Sequence, residues 1–153
     1  MTPDPHWTTL LSALLTPAVA VLGIFIAYRQ WRLAQEKLKL DLFDKRFKVY
    51  EAARELLASI MRSGKAKDDE VMKFLIATRA AKWLLKRPVA DYLNGQLYRK
   101  AIDLQRLAAE VEGVGFGEVR TNNILRQREI ILWFEAQYEV LDNHFSTCLQ
   151  LQH

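Results

Sequence analysis

Histidine and cysteine, the side chains most able to ligate metals or act as nucleophiles, are scarce in this chain. The 153 residues include three histidines and one cysteine. His144 follows Glu139 by five residues, so the two do not share a helix face as the Glu-x-x-His pairs of di-metal bundles do. Cys148 has no pattern of histidine and amide partners that would activate it. The sequence predicts no catalytic residue, no metal and no cofactor, and therefore a protein that is not an enzyme. An enzyme with an unrecognised site is the contrasting hypothesis, and it requires several polar side chains inside the fold.

A glycine-rich stretch, GVGFG, raises the possibility of a phosphate-binding loop. It contains Gly113, Gly115 and Gly117. Phosphate-binding loops need a preceding strand and, in the P-loop, a Lys-Ser/Thr ending, and the sequence has neither here. The pattern favours a connection between two helices.

The densest cluster of charges contains Asp41, Asp44, Lys45 and Arg46. Asp41 and Lys45 are four residues apart, so in a helix they lie on one face and can pair. One interpretation is a recognition patch for a protein partner. The favoured interpretation is a solvated helix face with ordinary ion pairs.

An apolar segment precedes the helices that must position these side chains. From Trp7 to Tyr28 there are 22 residues, none of which is Asp, Glu, Lys or Arg. As a helix they would extend roughly 33 Å, enough to cross a hydrocarbon core of about 30 Å. The sequence predicts a transmembrane helix over 7–28 after a short tail, 1–6. The expected membrane-interface residues, aromatic or basic at the two edges, are Trp7, Tyr28, Arg29, Trp31 and Arg32.

The distribution of charge predicts the orientation of this span. No Lys or Arg precedes Arg29, whereas seven lie between Arg29 and Lys48. Because basic residues flank the cytoplasmic side, the N-terminus is expected outside and the domain 29–153 in the cytoplasm. A buried soluble helix and a cleaved signal peptide are less favoured, since the segment is long and lacks a basic leader. A domain on the outer side of the inner membrane, as in a phage or envelope protein, is the alternative topology.

Four helices are predicted after the span, at about 29–62, 68–86, 89–111 and 119–150. Apolar residues recur in each at spacings near 3.5, and no strand pattern competes. The side chains expected inside include Phe47 in the first helix and, in the last, Ile124, Ile131, Phe134, Tyr138, Leu141, Phe145 and Cys148. The first helix is expected to continue the span and to end at Gly64, with Asp68 or Asp69 capping the second. The fold class is therefore all-α, a single transmembrane helix continuing into an antiparallel helical bundle.

Three stretches resemble a family of uncharacterised bacterial small membrane proteins with one N-terminal span. They are LFDKRFKVYEAARELL (42–57), WLLKRPVADYL (83–93) and ILWFEAQYEVLDNHFSTCLQL (131–151). The resemblance covers most of the chain from about Gln35, and it departs where Cys148 replaces an aromatic residue. It implies the fold, a membrane anchor and a bacterial inner membrane, and no activity.

The predicted helix lengths lead to a hypothesis about packing. The first and last helices are longer than the middle two, so they are expected to pair beyond them. The bases of 29–48 would then lie beside the acids of 129–153, a stretch without Lys or Arg, and the C-terminus would lie near the membrane. Contact of these bases with lipid headgroups is the default interpretation, the choice between it and the acidic helix stays open, and nucleic-acid binding is not expected.

Leucines near the membrane would have little cover in a monomer, which favours a coiled-coil-like contact between copies. The predicted surface for self-association or for a protein partner consists of Leu33, Leu38, Leu40, Asp41, Asp44, Lys45, Leu149 and Leu151. The expected function is that of a membrane-anchored cytoplasmic helical module that binds a protein partner or itself. The expected partners are the lipid bilayer, a second copy and an unidentified protein.

Overall fold

The computed structural model describes the backbone of residues 6–112 and 115–150, and the side chains of residues 15, 17–112 and 115–150. The described chain is all-helical and contains no strand, as the sequence predicts. Its elements are α1 (His6–Ser63), α2 (Asp68–Thr78), α3 (Ala81–Leu84), α4 (Arg87–Asp91), a π-helical stretch (Tyr92–Leu97), α5 (Tyr98–Glu112) and α6 (Glu118–Ser146).

The chain divides into two compact units, with the boundary inside α1 between Asp41 and Leu42. The first unit extends to Asp41, and its described side chains are exposed along the helix. The second unit begins at Leu42 and contains the remainder of α1 and all of the other helices. The hydrophobic core, from Val49 to Cys148 along the chain, lies in this second unit.

The C-terminus of α1 forms as its sequence predicts. No Gly or Pro occurs between Gly23 and Gly64 to interrupt the helix. Gly64 has a φ of 65°, in the left-handed region that glycine adopts without a steric penalty. Its N–H donates to the Ile60 carbonyl at 2.8 Å. This closes the last turn and directs the chain into the loop before α2.

Within the second unit, α1 and α6 are antiparallel, which confirms the predicted pairing of the first and last helices. Tyr50 packs against Phe145 with ring centroids 5.4 Å apart, and Gly64 lies beside Ile131 at the other end. The middle helices extend to the end of this unit that contains Arg46. There the Arg46 Nε donates to the carbonyl of Leu84 in α3 at 3.0 Å. The expectation that α1 and α6 pair beyond the middle helices is therefore wrong for this unit.

The predicted second helix is interrupted. It ends at Thr78, and a turn at Arg79 and Ala80 separates it from the short α3. The buried Thr78 hydroxyl donates to the Phe74 carbonyl at 2.8 Å, a bond that satisfies a polar side chain inside the core. The predicted cap is also wrong, because the N-cap is Lys67 and makes no side-chain bond.

The predicted third helix has nearly the expected extent but not a uniform geometry. It begins at Arg87, with Pro88 in the first turn, where the missing N–H of proline costs no hydrogen bond. Tyr92–Leu97 then adopts π-helical geometry around Gly95 before α5 resumes the α-helix. The side chain of Asn94 donates back to the Ala90 carbonyl at 3.0 Å. Both Tyr92 and Leu97 are buried, so the change in geometry keeps the apolar face directed into the core.

The inward face of α6 differs from the predicted one at four positions. Ile124, expected inside, is 50 % exposed, whereas Asn123, Ile130 and Gln137 are buried. The helix ends at Ser146, four residues before the expected end at Gln150. In α1, Phe47 was also expected inside and is 40 % exposed. The remaining buried positions of α6 follow the predicted period: Phe134, Leu141 and Phe145.

Candidate functional site

The predicted membrane segment is described only in part. The side chains of residues 1–14 and of Thr16 lie outside the described residues, and these include Trp7 and the first turns of the predicted span. Within the side chains that the structure does describe, no helix combines the length and the apolar character needed to cross a membrane. Large apolar side chains are nevertheless exposed from Leu15 onward, among them Ile24 at 71 % and Phe25 at 57 %.

The predicted interface residues lie on α1 and are exposed. The rings of Tyr28 and Trp31 are 6.2 Å apart, with 57 % and 60 % of each residue exposed. The guanidinium of Arg29 lies 5.8 Å from the centre of the Phe25 ring. Arg32 pairs with Glu36, its neighbour one turn later, at 3.5 Å. Aromatic and basic side chains therefore alternate over two turns of α1, the helix that forms the described part of the first unit.

The predicted self-association residues fall into three groups. Leu33, Leu38 and Leu40 expose more than half of their surface, and the charged Asp41, Asp44 and Lys45 are also exposed. Leu149 is different, because it is half-buried and packs against the core of the second unit. The expectation that it lacks cover is therefore wrong. Leu151 lies outside the described residues.

Arg46 joins α1 to α3 and to the turn that follows α6, at one end of the second unit. In addition to its bond to Leu84, it donates from Nη1 to the Cys148 carbonyl at 3.3 Å. Carbonyl groups at helix ends lack partners within the helix, and a guanidinium supplies several donors in a fixed plane. Among the described ion pairs of the second unit, none joins Lys45, Arg46 or Lys48 to an acid of α6. The expected charge pairing is replaced there by bonds from arginine to the backbone.

A second polar contact joins α1 to α6. The Tyr50 hydroxyl donates to Asp142 Oδ1 at 2.7 Å, and Arg54 donates to the Tyr50 oxygen at 3.3 Å. The bond to the Asp142 carboxylate raises the pKa of Tyr50 above its ordinary value of 10.0, with smaller contributions from burial and from the carboxylate charge. Asp142 belongs to the acidic stretch of α6, so one of the predicted acids does contact α1, through a tyrosine.

A third polar contact in the second unit involves Tyr92, a buried residue of the π-helical stretch. Its hydroxyl donates to Gln137 Oε1 at 3.0 Å, and the Gln137 amide donates to the Trp133 carbonyl at 3.1 Å. Burial raises the pKa of Tyr92 well above its ordinary value. His144 stacks on the Tyr92 ring at 4.5 Å between centroids. This arrangement fixes α6 against the π-helical stretch, and it assigns the half-buried His144 a packing contact.

Few polar side chains are buried among the described residues. They are Thr78, Asn123 and Gln137 together with the hydroxyl of Tyr92, so neither a carboxylate nor a histidine is buried there. Asn123 is paired with Glu110 at 3.2 Å. Over these same residues, no group of three or more His, Cys, Asp or Glu side chains could hold a metal ion.

A surface that the sequence analysis missed lies on α2 and α3. Trp83 is 81 % exposed, and the Lys82 Nζ lies 5.0 Å from the centre of its ring. Residues 71–90 contain five Lys or Arg and no Asp or Glu. A count of charges in windows along the chain would have revealed this stretch. Only the structure shows that Trp83 points outward.

Searches with protein-family models, among curated proteins and among solved structures found no significant match to this chain.

Proposed function

We propose that this protein is a membrane-anchored helical module that associates with itself or with another protein through the exposed leucines of α1 before Leu42. The observation that carries the proposal is the exposure of Leu33, Leu38 and Leu40, at 64 %, 55 % and 54 %. Leu33 and Leu40 are seven residues apart and therefore share one face of the helix, which is favourable to bury against a second helix, whereas Leu38 lies on the other side of the helix. The nearby Asp41, Asp44 and Lys45 would set the register of that contact.

Anchorage in the membrane is supported by the composition of 7–28, which contains no charged residue. The aromatic and basic groups at Tyr28, Arg29 and Trp31 support an interface at the end of that segment. By the distribution of Lys and Arg, the domain from residue 29 onward would be cytoplasmic at a bacterial inner membrane. Reporter fusions at each terminus test this orientation, and a C-terminal reporter active only outside the cytoplasm would overturn it.

Self-association is tested with the full chain in detergent and in membranes. The molar mass in detergent should exceed that of one chain at high protein concentration, and membranes should yield crosslinked dimers. Replacing Leu33→Glu and Leu40→Glu should reduce both signals at least about tenfold, because each change places a charge in the apolar contact.

The matched control replaces two leucines that are exposed on α6. Leu125→Glu and Leu132→Glu change residues of similar exposure, 52 % and 53 %, outside the proposed contact. These changes should leave the mass unaltered. A monomer at all concentrations together with poor crosslinking would overturn self-association. Equal loss in both variants would overturn the assignment of the contact to α1.

A further inference from the structure

The surface formed by α2, α3 and the start of α4 has an unusual composition. Over 71–90 the chain has no acid, and its five bases are exposed: Lys73, Arg79, Lys82, Lys86 and Arg87. Three large apolar side chains are exposed among them, Met72 at 55 %, Ile76 at 67 % and Trp83 at 81 %. We refer to these eight residues as the basic-aromatic surface.

The opposite side of the same segment is fixed in the core. Val71, Phe74 and Ala81 are at most 4 % exposed, and Leu85 is also buried. The carbonyl of Leu84 accepts the bond from Arg46, which attaches α3 to α1. The exposed tryptophan is therefore carried by a segment that is held in place on its other side. Trp83 is therefore exposed because it lies on the outer face of a packed segment. It does not belong to a loop that is detached from the core.

The charges of this surface remain available to an external ligand. Lys73 pairs with Glu70 at 4.0 Å and Arg87 with Asp91 at 3.7 Å. The basic partners of these pairs are 68 % and 92 % exposed, so solvent screens both pairs and each contributes little. The segment 71–90 thus combines an excess of exposed positive charge with the exposed ring of Trp83, which lies beside Lys82.

We infer that the basic-aromatic surface binds the headgroup region of an anionic lipid membrane. Tryptophan favours the interface between water and hydrocarbon, because one end of its ring system is apolar and its N–H is polar. Lysine and arginine can extend their charged ends to headgroup phosphates while their alkyl stems cover apolar surface.

Charge and residue type favour this ligand over a protein partner. Lysine contributes three of the five bases, and protein–protein interfaces are depleted in lysine while anionic lipid surfaces attract it. The inference does not depend on self-association through α1. It is also distinct from anchorage by 7–28, because it concerns a peripheral contact made by the second unit.

Fluorescence of Trp83 in the full chain tests the inference. Phe replaces Trp7, Trp31 and Trp133, so that Trp83 is the only tryptophan, and a retained helical circular dichroism spectrum verifies folding. The chain is placed in vesicles of brominated phosphatidylcholine, with or without phosphatidylglycerol. Quenching by bromine should be at least about twofold stronger with phosphatidylglycerol, and high salt should abolish the difference.

A matched pair of variants separates this surface from general charge. Lys82→Gln with Lys86→Gln should remove the extra quenching, whereas Arg126→Gln with Arg128→Gln, exposed bases of α6, should preserve it. Equal quenching in both vesicle types, or in both variants, would overturn the inference. Protection of Trp83 that rises with protein concentration and not with anionic lipid would assign the surface to a second copy instead, and would also overturn it.

Two additional measurements keep the outcome unambiguous. If the replacement at Trp133 unfolds the chain, a polarity-sensitive fluorophore on Met72→Cys in a Cys148→Ser background reports the same contact, since Met72 is exposed. Extraction of the vesicles with alkaline carbonate tests the anchor separately. Loss of the chain in carbonate would contradict anchorage by 7–28. The difference in Trp83 quenching between the two vesicle types at neutral pH would still decide the inference about the basic-aromatic surface.

Discussion

Two parts of α1 both carry large apolar side chains and have different surroundings. In the second unit, Val49, Ala53, Leu56, Leu57 and Ile60 are each at most 2 % exposed. In the first unit, Leu33, Leu38 and Leu40 are all more than half exposed. The presence of apolar residues on a helix therefore does not establish whether their side chains are covered. Matched substitutions in the two parts test this difference.

The largest effect is expected from truncation of a leucine in the covered part. Leu57→Ala should lower the free energy of unfolding by about 2–5 kcal/mol, because it removes buried methyl groups and leaves a cavity. Leu40→Ala should change it by less than about 0.5 kcal/mol at a concentration where the chain is monomeric. Denaturant titration followed by circular dichroism measures both. Similar losses for the two variants would contradict the assignment of Leu40 to an uncovered surface.

A smaller loss is expected from removal of one buried hydroxyl. Tyr92→Phe leaves Gln137 Oε1 without its donor, which should lower the free energy of unfolding by about 1–3 kcal/mol. Tyr28→Phe removes a hydroxyl from a residue that is 57 % exposed in the first unit and should have almost no effect. The same titrations decide between these outcomes, and a neutral Tyr92→Phe would contradict the described bond.

Raised tyrosine pKa values predict a loss of stability in alkali. The pKa of Tyr92 is raised by burial and that of Tyr50 by its bond to Asp142, while an unfolded chain ionises tyrosine near pH 10. Above about pH 10 the unfolded state therefore binds fewer protons than the folded state. Stability should be full below that pH and should decrease as pH rises through the folded pKa values.

The tyrosine variants supply the control for this pH dependence. Tyr92→Phe should make the decrease above pH 10 shallower, because it removes the strongly buried group. Tyr50→Phe should have a weaker effect, because Tyr50 is less enclosed than Tyr92. Unfolding midpoints measured from neutral to alkaline pH test this order. An unchanged slope in Tyr92→Phe would show that other groups cause the decrease.

The smallest matched comparison uses two arginines of α1. Arg46→Met should lower the free energy of unfolding by about 1–2 kcal/mol, because the Leu84 and Cys148 carbonyls lose a charged donor. Arg32→Met removes an exposed pair with Glu36 and should cost about 0–0.5 kcal/mol. Thermal unfolding in one detergent compares the two variants. An equal cost would mean that the bonds of Arg46 contribute no more than a surface pair.

Local features were predictable where a residue's own backbone preference determines them. Gly64 ends α1 because only its own φ angle is involved, and Pro88 marks the start of α4 because its ring restricts its own backbone. The break after Thr78 was not predictable, since the apolar period continues through it to Leu85. The buried Gln137 was not predictable either. Its partner Tyr92 is 45 residues away, and polar residues are normally assigned to the surface.

The sequence by itself determined the all-helical class, the C-terminal end of α1 and most of the inward apolar positions, because helix propensity and a 3.6-residue period depend on neighbouring residues. Only the tertiary structure decided that Leu149 is covered while Leu38 is exposed, that Arg46 binds backbone carbonyls, and that Trp83 points outward among bases. These outcomes depend on which helices pack together. Burial and hydrogen bonding each require two surfaces, and the sequence of one segment specifies only its own surface.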